Sequence, residues 1–161
     1  MEENQLAPEN LRIPVGELLA GEPGKSRDYQ IRDTAIGLTD SASALVSGVV
    51  TVSRTAKDKV IARGRLEAEA KLPCARCLEE TTLNLHLQLE QEYQVIPPQA
   101  EELLPIEEGQ INLLEAIYRE IWVNLPLKIL CREDCRGICP ECGVNLNKEE
   151  HKKECKQDES G

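Results

Sequence analysis

Apolar and polar residues alternate with period two through the middle of the chain. From Lys59 to Leu72, Val60, Ala62, Leu66, Ala68, Ala70 and Leu72 share one parity, and Arg63, Arg65, Glu67, Glu69 and Lys71 share the other. From Thr81 to Val95 the pattern repeats, with Leu83, Leu85, Leu87, Leu89, Tyr93 and Val95 set against Asn84, His86, Gln88, Glu90, Glu92 and Gln94. Successive side chains of an extended chain point to opposite faces, so alternation this long predicts antiparallel strands with one face buried. Ala44–Arg54 carries a shorter version, with Val46, Val50 and Val52 opposing Ser47, Thr51 and Ser53. Asp28–Ile36 alternates weakly, and Leu11–Val15 reads as a short strand whose Pro14 places it at an edge. Gly16–Lys25 reads as a loop with at most a turn of helix, and Gly37–Ser43 as a turn-rich stretch. Thr55–Asp58 reads as a connection, and Gln99–Gly109 as an acidic, solvated loop.

Near Asn112 the period changes. Leu114, Ile117, Tyr118, Ile121, Trp122 and Leu125 follow helical spacing, which predicts a helix from Asn112 to Leu125 with one apolar stripe laid on the sheet. Asn112 followed by Glu115 makes a capping-box-like start, Glu115 and Arg119 form an i,i+4 pair, and Pro126 stops the helix. The expected architecture is α+β. An antiparallel sheet, a meander or partly closed barrel, is packed by one main helix within residues 1–130. Residues 131–161 form a cysteine-rich, zinc-ribbon-like tail. It is too short to build a core alone, so a metal would substitute for one.

That tail holds Cys131, Cys135, Cys139 and Cys142 within twelve residues. Cys139-Pro140-Glu141-Cys142-Gly143 is a zinc-knuckle signature: two thiolates on a tight turn can bite one ion, and zinc suits thiolate ligands. His151 and Cys155, spaced H-x-x-x-C, follow. A second pair, Cys74-x-x-Cys77, lies between the two longest predicted strands and so at a hairpin tip. Two ligand counts remain open. In one, Cys139, Cys142, His151 and Cys155 hold one ion while Cys74, Cys77, Cys131 and Cys135 hold another. In the other, a single ion takes Cys135, Cys139, Cys142 and Cys155. A redox pair at Cys74 and Cys77 is the competing reading, but a thioredoxin-like pair opens a helix, and here a strand follows.

Composition narrows the functions. The chain carries 29 acidic and 19 basic residues, a net charge of −10, which argues against broad nonspecific binding to nucleic acid or membrane surfaces. Three Tyr, one Trp and no Phe leave little for a base-stacking RNA-binding sheet. Met1-Glu2-Glu3-Asn4 lacks the apolar run of a signal peptide, and nowhere do 18 apolar residues run together. The expected location is cytoplasmic, where thiols stay reduced and paired cysteines read as metal or redox sites before disulfides. No His-Glu-x-x-His, nucleophile elbow or phosphate loop is present. His86 falls on a polar strand face, and Glu101, Glu102, Glu107 and Glu108 read as solvated charge, so no catalytic residues and no small-molecule substrate are expected. Charge is uneven, however. The stretch from Arg54 to Arg76 is +4, leaving −14 elsewhere, and Arg63, Arg65, Lys71 and Arg76 could form a phosphate-contacting ridge or an ordinary mixed-charge face.

Taken in order, several of these pieces resemble the YceD family, bacterial and plastid proteins named for large ribosomal RNA subunit accumulation. The matching residues are Leu11–Leu19, Cys74-Ala75-Arg76-Cys77-Leu78-Glu79, Ile111–Ile117, Glu120, Leu125-Pro126-Leu127, Cys131, and the tail from Asp134 to Asn147. Similar proteins tend to finish with a closely spaced Cys-x-Cys, whereas His151 and Cys155 stand there in this chain. The resemblance implies a non-enzymatic role in processing or accumulation of large-subunit (23S) rRNA, with rRNA or a ribosomal protein as partner. The alternative is a thiol-based redox or metal-responsive regulator using Cys74 and Cys77.

Overall fold

The computed structural model describes residues 11–95 and 103–150. In chain order the elements are β1 (Arg12–Pro14), α1 (Gly16–Ala20), β2 (Ser26–Thr39), β3 (Ala42–Ala56), β4 (Lys59–Pro73), β5 (Glu80–Val95), β6 (Leu104–Ile106), β7 (Gln110–Asn112) and α2 (Leu114–Asn124). The fold is mostly β, with few helices. β2 to β5 form an up-and-down antiparallel meander, and β6 joins its far edge parallel to β5. β1 and β7 pair separately, Ile13 opposite Ile111.

The two-residue period does what it predicts in β4. Val60, Ala62, Leu66, Ala68, Ala70 and Leu72 are all buried, and Arg63, Arg65, Glu67, Glu69 and Lys71 are exposed. β4 and β5 stay in one register from Lys59 opposite Gln94 to Pro73 opposite Glu80. That unbroken ladder carries the hairpin to its tip at residues 74–79.

The sheet curls. A bulge in β2 lies between Ile31 and Thr34, with Asp33 at φ 39°. Next to β3 the backbones come so close that a Cβ at Gly64 would lie 2.3 Å from the Val49 carbonyl oxygen and 2.9 Å from the Val50 Cα. Only glycine tolerates that approach.

Under the curl sits α2, which buries Ala116, Ile117 and Ile121. Burying an Ile such as Ile121 stabilises the fold by ~1.5–3 kcal/mol. The helix is tied to β5 by polar contacts as well. The Tyr93 hydroxyl donates to the Asn112 carbonyl (3.1 Å), and Arg119 Nη1 to Gln91 Oε1 (3.3 Å). Burial pushes the Tyr93 phenol's pKa upward, so it stays a donor. Asn112 Oδ1 accepts from the Leu114 amide at the helix start (2.9 Å), and Arg119 meets Glu115 at 3.4 Å.

Several expectations are corrected. Tyr118 and Trp122 are 38% and 40% exposed, so they rim the buried stripe instead of filling it, in edge-to-face contact with each other. Val95 is exposed, because the parity of β5 fails at its end, where Gln94 is buried and donates to Asp58 Oδ2 (3.0 Å). The stretch from Gln99 to Gly109 contains β6, whose Ile106 is buried. The turn after β2 is shorter than Gly37–Ser43, with both strands reaching into it.

Gly64→Ala should destabilise the protein by about 1–3 kcal/mol in urea denaturation, because the added methyl overpacks against β3 backbone. Gly37→Ala, with nothing within 4 Å of the added carbon, should match or slightly exceed the parent. Equal stability of the two variants would remove the close approach as a constraint.

Candidate metal centre

The centre is built where two distant segments meet. At the end of the β4–β5 hairpin, the Cys74 amide donates to the Glu79 carbonyl (2.8 Å) and the Leu78 amide donates to the Cys74 carbonyl (3.0 Å). This closes a tight turn that carries Cys74 and Cys77. The second segment arrives from α2. Past Pro126 the chain runs alongside the tip, and the Ala75 amide donates to the Ile129 carbonyl (2.6 Å). Cys131 and Cys135 follow.

The four sulfurs of Cys74, Cys77, Cys131 and Cys135 all lie within 4.8 Å of one another. Cys74 and Cys135 are 3.6 Å apart, as are Cys77 and Cys131. A disulfide needs about 2.05 Å, so these are separate thiols. Four sulfurs arranged tetrahedrally at ~2.3 Å from a zinc ion would stand about 3.8 Å from each other. The donor set therefore fits: four cysteines are positioned to hold a metal ion. Cys74, Cys77 and Cys135 are buried together with Leu130 and Ile138 packed against them, and Cys131 is exposed.

Electrostatics divide the four. For Cys74, burial opposes ionisation, but hydrogen bonds at its sulfur outweigh it and bring the pKa down to about 6. The Arg76 amide donates at 3.4 Å and the Cys131 amide at 3.3 Å. Asn147 Nδ2 donates to Cys135 Sγ at 3.2 Å, the largest cause of that thiol's lowered pKa. Although Cys131 as a whole is exposed, desolvation of its sulfur among Cys74, Cys77 and Cys135, together with hydrogen bonds from those sulfurs, pushes its pKa up to about 12. Hydrogen bonds at Cys74 and Cys135 thus favour the thiolate, the form that ligates metal, over the neutral thiol.

These are the four cysteines that the two-ion count assigns to the hairpin. Cys135 sits with the hairpin thiols; Cys139 and Cys142 occupy a turn of their own, where the Cys142 amide donates to Cys139 Sγ (3.4 Å). His151 and Cys155 lie outside the described residues. No helix follows Cys77, so the dipole that would activate a thioredoxin-like pair is missing there.

The basic residues meet different fates. Arg76 Nη1 donates to the Cys135 carbonyl (2.8 Å), tying tip to tail, and Arg63 Nε pairs with Glu90 Oε2 at 2.9 Å. Arg65 and Lys71 stay exposed on the outer sheet face, with Glu67 and Glu69 between them. Arg65 borders an open concavity of about 710 Å³ shared with Gln30, Arg32, Asp33 and Val49. His86 is exposed beside Glu67.

Sequence reasoning missed Asn147. Its side chain bonds Cys135 Sγ and also accepts from Arg132 Nη2 (3.0 Å) and the Arg136 amide (2.8 Å). The available signal was an amide side chain shortly after a paired-cysteine turn, which is weak alone.

Residues 62–160 match the family model described as large ribosomal RNA subunit accumulation protein YceD. The chain belongs to the YceD family. The match includes the whole cysteine cluster, and membership points to a ribosome-related role. Among curated relatives, an uncharacterized protein of Mycobacterium leprae is 30% identical over 97 residues, covering 55% of this chain and 44% of that protein. Uncharacterized proteins of Mycobacterium bovis and Mycobacterium tuberculosis are each 30% identical over 97 residues, covering 56% of this chain and 46% of theirs. The chain thus spans less than half the length of the relatives it matches. No solved structure is a significant match to this YceD chain. Among the described residues, no helix is long and apolar enough to cross a membrane.

Stripping metal with a strong chelator should release residues 131–150 from the hairpin tip. Limited proteolysis is then expected to cut in this stretch while the sheet stays intact, and Cys77→Ser should show the same pattern without chelator. Equal protease resistance with and without metal would mean that packing alone holds the tail.

Proposed function

We propose that this protein is a non-enzymatic ribosome biogenesis factor. It supports processing or accumulation of large-subunit (23S) rRNA by binding rRNA or a ribosomal protein, and carries zinc as a structural ion. The observation that carries the reading is the family match, whose description names large ribosomal RNA subunit accumulation. The site chemistry supports a structural role for the ion. Four cysteines would fill all four positions of tetrahedral zinc, leaving none for substrate or water, which is the mark of a structural centre. The acidic surplus favours a basic protein partner; exposed Arg65 and Lys71 favour RNA. Arg65 is the better phosphate contact of the two hairpin arginines on the sheet, because Arg63 is already paired with Glu90.

Depleting the protein in its own host should lower mature 23S rRNA relative to 16S rRNA and reduce the large-subunit peak in sucrose gradients. Unchanged ratios and profiles would reject the reading. In filter binding to purified large-subunit rRNA, Arg65→Glu should weaken association at every sequence tested and reduce the log–log salt slope by about 1. An unaltered slope would remove Arg65 from the interface and leave a protein partner as the better choice.

A further inference from the structure

Residues 145–148 fold back beside the cysteine cluster, and Asn147 reaches one of its sulfurs. The backbone there is fixed by bonds that do not involve the cluster. The Asn147 amide donates to Asn145 Oδ1 (2.9 Å), and the Leu146 amide to the Gly137 carbonyl (2.8 Å). The half-buried Asn147 side chain has one sensible way to turn. Its Oδ1 accepts from Arg132 Nη2 at 3.0 Å and from the Arg136 amide at 2.8 Å. A guanidinium and a backbone N–H can only donate, so the side chain must face them with its oxygen. That turns the amide nitrogen to Cys135 Sγ, 3.2 Å away.

The bracket spans both cysteines that the tail sends to the cluster. Arg132 follows Cys131 and Arg136 follows Cys135, so one side chain ties the neighbour of each. The same segment meets the hairpin at Glu79, where Lys148 Nζ lies 3.1 Å from Oε2. Those two side chains are 64% and 48% exposed, and pairs so open to water contribute little. The sulfur contact is of another kind. Four thiolates around a divalent cation leave a net negative charge, and N–H donors at sulfur spread it. At Cys74 the backbone amides of Arg76 and Cys131 donate, and no ordinary substitution removes them. At Cys135 a side chain donates, so position 147 is where the sequence can tune the centre.

We propose that Asn147 is a positioning residue of the metal centre. It orients Cys135 and stabilises its bound thiolate, and so sets how tightly the centre holds a thiophilic divalent cation of the zinc type. The inference rests on the structural-ion reading above and is independent of the ribosomal partner.

The test uses the full chain, purified anaerobically, with cobalt and zinc as probes. Thiolate-to-cobalt bands that Cys77→Ser abolishes report this centre. Asn147→Leu keeps the side chain's bulk and removes its hydrogen bonds. An N–H donor lowers the energy of the sulfur lone pair, so those bands should move to longer wavelength in this variant. In competition with a chromophoric chelator, it should hold zinc roughly tenfold to a hundredfold more weakly than the parent. Asn147→Asp separates the two kinds of bond. It keeps both acceptor bonds but turns a carboxylate to the sulfur, so it should weaken zinc binding at least as much and shift the same bands. Asn147→Asp with the parent's bands and affinity would overturn the inference, because the residue would then only brace the loop. Should Asn147→Leu detach the tail, Asn147→Asp decides alone. A parent without bands that Cys77→Ser abolishes would sink the centre and this inference together.

Discussion

Four sulfurs confined within 4.8 Å of one another need a reason to stay together. As neutral thiols they make weak hydrogen bonds and gain little. As thiolates they repel: two unit charges 3.6 Å apart at an effective dielectric near 20 cost about 5 kcal/mol. A cation bound among them would reconcile the surrounding hydrogen bonds, which favour thiolate at Cys74 and Cys135, with such crowding. Such a cation would matter because, among the described residues, the tail has few apolar contacts with the tip. Leu130 and Ile138 supply its apolar packing at the cluster, and the other ties to the tip are polar, through Arg76, Glu79 and Ile129.

The sheet makes this convergence possible. β4 and β5 keep one register to the end, so the tip arrives at a fixed place and orientation. α2 does the complementary work. Its buried residues fix the helix under the curl, and its end at Asn124 sets the point from which the chain returns to the tip. A shift of one residue in the β4–β5 ladder would turn every side chain of β4 over and carry the tip cysteines away from Cys131 and Cys135. The core of the body and the geometry of the centre are therefore one specification.

Much of the body was legible in the sequence because its physics is local. Alternation in β4 marks the buried face residue by residue, and the position of Cys74 and Cys77 at a hairpin tip follows from two flanking strands. β6 and β7 were not legible. Each is three residues long, too short to alternate, and Pro105 within β6 argues against a strand. Tyr118 and Trp122 have the right spacing for the buried stripe, yet an 11-residue helix buries a narrower face than the periodicity allows. The cysteine partnership was legible only as one of two counts. It joins positions 54 and 61 residues apart, and no sequence pattern states where a chain comes back to after crossing β5, β6, β7 and α2. The family resemblance supplied the order of the motifs but not their pairing.

The span between Cys77 and Cys131 has a topological consequence. It contains β5, β6, β7 and α2, so an ion joining its ends would close half of the body into a ring. A covalent bridge across a loop of this length restricts the denatured chain by about 4 kcal/mol in the chain-entropy picture. A metal clasp does the same while it is loaded and nothing when it is empty. The local supply of the ion would then set the resistance to unfolding of a body whose own core never touches it.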